Sequence, residues 1–197
     1  MTQQKILEAA ARLFSERGFA STPTSLLARE AGISEGSIYR HFSSKDEIFL
    51  HLIRDLRQEL ENAIDAVLEE STPLGGFGQI SSILEEYSAF VRKNSRYFSL
   101  IFRDAPLRAG HGDTELQDEL AAIHDYIHDC ILEVLKRGAD EGTIRNDIDV
   151  KTVCTMVCSL VLGMTRMRYF GYLSEDQVDP AAVRSHLELF LRPTKKW

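Results

Sequence analysis

Cysteine is scarce in this chain: Cys130, Cys154 and Cys158 are an odd number with no Cys-x-x-Cys spacing. A disulfide framework is therefore not expected, and the thiols suit a reducing compartment. Long apolar runs are missing too. The richest, Val153 to Met164, covers only about half of the ~20 residues that a membrane crossing needs. The opening Met-Thr-Gln-Gln-Lys leads straight into an amphipathic pattern without the apolar core of a signal peptide. These deficits predict a soluble, cytoplasmic protein with no membrane partner. Positive charge is also short, with a net charge of −7, which by itself argues against a nucleic-acid partner. The shortage is uneven, however. Residues 1–57 hold eight Lys and Arg against seven Asp and Glu, and the rest hold fifteen against twenty-three. An acidic chain can still bind DNA when its cations are gathered on one face of one part.

Strand-like alternation and internal repeats are absent, and helical periodicity fills the chain. At 44% hydrophobic residues it can bury a core. Ile6, Leu7, Ala10, Leu13 and Phe14 fall at helical spacing, and Gly18 offers a left-handed stop. In "STPTSLLAREAG", Thr22 can cap a helix with Pro23 in its first turn, and Gly32 ends it. Ser34 can cap a second short helix ending near Phe42, and Ser44 with Glu47 has the spacing of a capping box. From Ile48 to Val67 one apolar stripe predicts a long helix to about Glu70. Further helices are predicted at 77–93, 95–103, 115–141, 149–170 and 179–192, about nine in all. "LGGFG" at 74–78 lacks the third glycine and the preceding strand of a dinucleotide fingerprint and reads as a loop.

Two short helices joined by a tight turn form a helix-turn-helix, whose second helix enters the DNA major groove. Leu26, Leu27 and Ala28 would face inward, and Ile33 with Ile38 would pin the second helix. That leaves Glu35, Gly36, Ser37, Tyr39, Arg40 and His41 projecting outward. Hydroxyls and imidazole can donate to phosphates or base edges, arginine supplies charge, and a glycine lets the backbone approach closely.

The segment "GFASTPTSLLAREAGISEGSIYRHFSSKDEIF" (18–49) resembles the N-terminal DNA-binding segment of tetracycline-repressor-like (TetR family) regulators. The match runs through Gly18, Phe19, Thr22, Leu27, Ala28, Ala31, Gly32, Ser34, Gly36 to Tyr39, His41, Phe42, Ser44, Lys45 and Ile48. It implies an all-α fold with an N-terminal three-helix helix-turn-helix domain over 1–47. Residues 48–197 would be a larger helical effector-binding and dimerisation domain. It further implies that Tyr39, His41 and Lys45 contact phosphates and that Gly36 and Ser37 lie near bases. Thr22, Thr24 and Ser25 would form another phosphate-facing site. Two positions depart from the family pattern. Pro23 replaces a usual hydroxyl residue, and Glu35 stands where lysine is frequent and can accept a hydrogen bond from a cytosine.

The resemblance also implies that the last two long helices pair with those of a second subunit. Val153, Val157, Leu160, Val161, Leu187, Phe190 and Leu191 would form that homodimer interface. An effector pocket is expected among the helices from 77 to 141 and the inner side of 149–170. Its candidate lining is Tyr87, Phe90, Phe98, Phe102, His124, His128, Met164 and Arg166, suited to a small apolar or aromatic effector. Arg166 could anchor an acidic effector's carboxylate, although a cation there also complements the helix end. The function expected is a ligand-responsive repressor on a palindromic operator, without enzymatic activity, cofactor or metal.

Two rivals come from other classes. His124 and His128, one turn apart with Asp125 and Asp129 beside them, could hold a metal with His111 or Cys130 and make this a small helical enzyme. The glutamate placement of a helical zinc hydrolase is lacking. A DNA-binding architectural protein without effector is the other rival. Cys154 and Cys158 read as buried small hydrophobes.

Overall fold

The computed structural model describes residues 2–105, 114–174 and 180–193. All regular structure among them is helical. The helices are α1 (Thr2–Arg17), α2 (Thr24–Ala31), α3 (Glu35–Ile38), α4 (Lys45–Ser71), α5 (Gly75–Lys93), α6 (Ser95–Ser99), α7 (Thr114–Asp140), α8 (Val150–Tyr169) and α9 (Pro180–Leu191). A 3-10 turn, Thr72–Leu74, follows α4, and α6 continues as a π-helical turn over Leu100–Asp104. The chain divides into two compact units, one from residues 1–59 and 93–122, the other from 60–92 and 123–197.

In the first unit the apolar positions read from α1 become its core. Ile6, Leu7, Ala10, Leu13 and Phe14 are all buried. Phe14, Phe19 and Phe49 pack as a cluster with ring centroids 5.2–6.1 Å apart. Gly18 stops α1 at φ 89°. The π-helical turn then closes that end. Arg103 donates to the carbonyls of Phe14 and Ser15, and Asp104 accepts from the Phe19 N–H at 3.4 Å. Such orphan carbonyls at a helix end need a donor. Arg54 and Arg57 both donate to Glu119 at 2.8 Å. Burial pushes the Glu119 carboxyl up, but the two guanidiniums outweigh it and hold it below its ordinary range.

In the second unit, α5 begins at Gly75, so most of the "LGGFG" stretch is helix instead of loop. Glycine is needed here for closeness. A Cβ on Gly76 would lie 2.7 Å from Ile144 Cδ1 and 3.1 Å from the Gly138 Cα, and one on Gly138 would lie 2.8 Å from the same methyl. The same unit is tied by Arg137 to Gln79 (2.6 Å) and by the Arg145 N–H to the Leu191 carbonyl (2.9 Å). α8 has the length and apolarity to cross a membrane, but Val153, Cys154, Val157 and Cys158 are packed in the core of the unit. Burial pushes the Cys154 thiol up to about 12 and raises Cys158 as well. Both are buried, and the Cys154 thiol donates to the His128 carbonyl at 3.2 Å.

Candidate nucleic-acid interface and cavity

The turn between α2 and α3 forms as its residues dictate. Gly32 adopts φ 68°, a left-handed conformation that costs glycine little, and the Ile33 N–H reaches the Ala28 carbonyl at 3.0 Å. Ser34 caps α3 by accepting from the Ser37 N–H at 3.2 Å. Leu27, Ala28, Ile38 and Phe42 are buried and hold the two helices to α1 and α4. Local detail differs from expectation at three points. Pro23, not Thr22, is the N-cap of α2, and α3 is a single turn whose regular hydrogen bonding ends at Ile38. The capping box is displaced as well. Glu47 receives the Ser43 N–H at 2.5 Å and the Ser43 hydroxyl at 2.6 Å, while Ser44 takes the Glu47 N–H at 3.1 Å. The hydrogen bonds from Ser43 hold the Glu47 carboxyl below its ordinary range.

Eight of the ten expected interface residues come together on one outer surface. Ser25, Glu35, Gly36, Tyr39, Arg40 and His41 are exposed, Tyr39 by 54%. Half-buried Thr24 bonds Glu35 and, at 3.3 Å, the Tyr39 hydroxyl. Arg40 donates to the half-buried Ser37 hydroxyl at 2.7 Å, which in turn meets Ser34 at 2.8 Å. The polar side chains are thus pre-positioned by one another. No heavy atom comes within 4 Å of a Cβ placed on Gly36, which leaves the backbone open to close approach.

Two expected residues turn elsewhere. Thr22 is fully buried, and its hydroxyl donates to the Gly18 carbonyl at 2.8 Å, so it cannot face a phosphate in this arrangement. Lys45 points across the loop between α1 and α2. Its Nζ donates to the carbonyls of Phe19 (2.8 Å) and Thr22 (3.0 Å) and sits 4.2 Å from the Phe19 ring centroid.

A cavity of about 880 Å³ lies within the second unit, between α5, α8, α9 and the end of α4. Of the expected lining only Met164 borders it. Tyr87 is core, its hydroxyl bonded to Thr165 and its pKa pushed up to about 12 by burial. Phe90 is also buried core. Phe98 and Phe102 belong to the other unit, where they pack on each other at 5.9 Å. His124 is exposed and stacks on His128 at 6.0 Å, so neither lines this space. Arg166 projects outside, 5.8 Å from the Phe170 ring, while Arg168 lines the cavity. Residues two apart on a helix face different sides, so only one of the two arginines can turn inward. His111 lies outside the described residues. Among those described, no three His, Cys, Asp or Glu side chains gather as a metal site.

The expected dimer surface is redistributed in the same way. Val153, Val157 and Leu191 are buried within the protomer, and Val161 and Leu187 line the cavity. Leu160 and Phe190 are exposed, and Met156, Met167 and Leu189, which the pattern did not single out, are exposed with them. Met156, Leu160 and Met167 stand at i, i+4 and i+11 on α8, a stripe that flanks its buried valines.

The sequence pattern described as bacterial regulatory proteins, tetR family, matches residues 6–52. The nucleoid occlusion factor SlmA of Haemophilus influenzae is 30% identical over 162 residues, covering 80% of this chain and 69% of that protein. The transcriptional repressor KstR2 of Mycobacterium tuberculosis is 30% identical over 157 residues, covering 76% of this chain and 72% of the repressor. In fold, the chain is similar to the TetR family transcriptional regulator PfmR of Thermus thermophilus, with a TM-score of 0.74 at 23% identity over 100% of this chain and 99% of PfmR.

Proposed function

Since the chain belongs to the tetR family of bacterial regulatory proteins, we propose that this transcriptional regulator is a repressor that binds a palindromic operator as a homodimer and leaves it when an effector fills the cavity. The observation that carries the DNA-binding reading is the cluster of Thr24, Ser25, Gly36, Ser37, Tyr39, Arg40 and His41 on one exposed surface of α2 and α3. Residues 1–47 form the DNA-binding part and 48–197 the effector-binding and dimerisation part. Thr24, Ser25, Tyr39, Arg40 and His41 contact phosphates, while Gly36, Ser37 and Glu35 meet base edges. Thr22 and Lys45 serve the same site by holding the loop between α1 and α2.

Leu160 and Phe190, extended by Met156, Met167 and Leu189, form the apolar surface on which a second copy docks. Two recognition helices then read half-sites about 34–36 Å apart. Release follows only if the effector binds better to protomers held at another spacing. Selection of bound fragments from a random DNA pool tests the operator reading. A palindrome is expected, and Tyr39→Ala should weaken binding to all fragments while substitutions at Ser37 change which are preferred. Recovery of no enriched sequence, or unchanged affinity in Tyr39→Ala, would overturn the assignment.

A further inference from the structure

Two hydroxyls on the outer surface of α2 and α3 have their protons already committed. Thr24, the first residue of α2, donates its hydroxyl proton to the carboxylate of Glu35, the first residue of α3. The hydroxyls of Thr24 and Tyr39 lie 3.3 Å apart. A carboxylate only accepts hydrogen bonds, and a hydroxyl has a single proton to give. With that proton on Glu35, Thr24 can meet Tyr39 only as an acceptor. The chain therefore runs one way, from Tyr39 to Thr24 to Glu35, and both protons stay within the protein.

Phosphate oxygens accept and do not donate, so neither hydroxyl can contact the DNA backbone while this chain stands. Arg40 is different. It gives one bond to the Ser37 hydroxyl at 2.7 Å, and a guanidinium has further N–H groups left for a phosphate. Glu35 thus withholds Thr24 and Tyr39 in particular, and it does so on an exposed surface where Tyr39 is 54% exposed.

Moving both hydroxyls to phosphates would leave the carboxylate without these donors and facing an anionic duplex. That arrangement is unfavourable unless another donor replaces them. In the major groove the donors are the amino groups of cytosine and adenine, while guanine O6 and N7 and thymine O4 are acceptors. Adenine N6 stands beside the acceptor N7, so the cytosine edge suits a carboxylate better.

We propose that Glu35 gates base recognition. It holds the Thr24 and Tyr39 hydroxyls in the free protein and gives them up to the phosphates where a cytosine amino group takes their place. Base reading and backbone contact then arise together, and a duplex without that cytosine meets a surface with fewer donors. This rests on the reading of α2 and α3 as the DNA-contacting surface.

The test uses the full chain, with Glu35→Ala, Glu35→Gln and Tyr39→Phe, each at an exposed position, and with the double variants. Fragments are first selected from a random DNA pool. Affinities are then measured by fluorescence anisotropy on a selected duplex and on the same duplex with the cytosine pair replaced by a thymine pair. The wild type should enrich cytosine at one fixed position of each half-site, and its replacement should weaken binding about tenfold. Glu35→Ala should lose the preference at that position and keep the rest of the selected sequence.

The Tyr39 hydroxyl separates gating from plain repulsion between Glu35 and the phosphates. With Glu35 present, Tyr39→Phe should weaken binding to the selected duplex about threefold more than to the thymine duplex. In Glu35→Ala the two losses should become equal. Glu35→Gln removes the charge but keeps an acceptor for Thr24, so part of the difference should survive in it. Equal losses on both duplexes with Glu35 present, or undiminished cytosine enrichment in Glu35→Ala, would overturn the gate and leave the DNA-binding reading in place. A wild-type chain that binds no duplex would overturn both.

Discussion

Replacing Lys45 by methionine separates two roles that a cation at the start of α4 can play. Methionine keeps the apolar stem beside Phe19 but removes the ammonium that bonds the Phe19 and Thr22 carbonyls at 2.8 and 3.0 Å. Charge-assisted hydrogen bonds contribute about 1.5–3 kcal/mol each. The side chain is half-buried, so both carbonyls can turn to water in the variant, and the net loss should be about 2 kcal/mol. For a chain of this size that lowers Tm by roughly 4–8 °C, measured by circular dichroism. Operator affinity should fall with it, because the loop carries α2. The salt dependence is the discriminating readout. A lysine that neutralises a phosphate contributes about 0.9 to the slope of log K against log salt, whereas a lysine committed to the loop contributes none. The expected result is a lower Tm with the slope unchanged. An unchanged Tm with a slope reduced by about 0.9 would refute the positioning role and return Lys45 to the phosphates.

Gly138→Ala should destabilise the fold by about 1–3 kcal/mol, the usual cost of forcing an extra carbon into a packed site, because its Cβ would stand 2.8 Å from Ile144 Cδ1. Ile144→Val in the same chain should recover part of that loss in urea unfolding, and strict additivity of the two changes would exclude the contact. Glu119→Gln should cost about 1–2 kcal/mol at neutral pH, discounted for the partial exposure of Arg54 and Arg57. Because the folded carboxyl lies below its ordinary 4.5, that stability is fully present above this value and is lost as the pH falls through the lowered one. The gap between wild type and variant should therefore close on acidification, and a constant gap would be incompatible with the ion pairs. Met156→Glu with Leu160→Glu should shift sedimentation from dimer to monomer while helicity is retained, and an unaltered dimer would move the interface elsewhere.

What could be read from residues alone was whatever local chemistry decides. Gly32 takes a positive φ, Ser34 caps α3, and the α1 stripe from Ile6 to Phe14 is buried, each settled within a few residues of chain. Errors arose where the deciding partner is distant. Gly75 and Gly76 look like a break until Thr143 is seen against the first and Ile144 and Gly138 against the second. Aromatic density pointed to Tyr87 and Phe90 as pocket walls, but large rings fill space, and the cavity exists where Ser71, Ser81 and Thr165 leave room. The two faces of α8 carry similar apolar residues, so periodicity found the helix without saying which side stays outside. Lys45 matched its motif while its ammonium was drawn to two carbonyls, an outcome that depends on the path of the preceding loop.

That loop is gripped from opposite quarters. Asp104 holds the Phe19 amide, Arg103 holds the last carbonyls of α1, and Lys45 holds the carbonyls of Phe19 and Thr22. Residues 18–22 consequently have little slack of their own. A shift of the 100–104 turn by even an ångström must either drag Phe19 along or break its bond with Asp104, so tension applied there is felt at the threshold of the recognition motif.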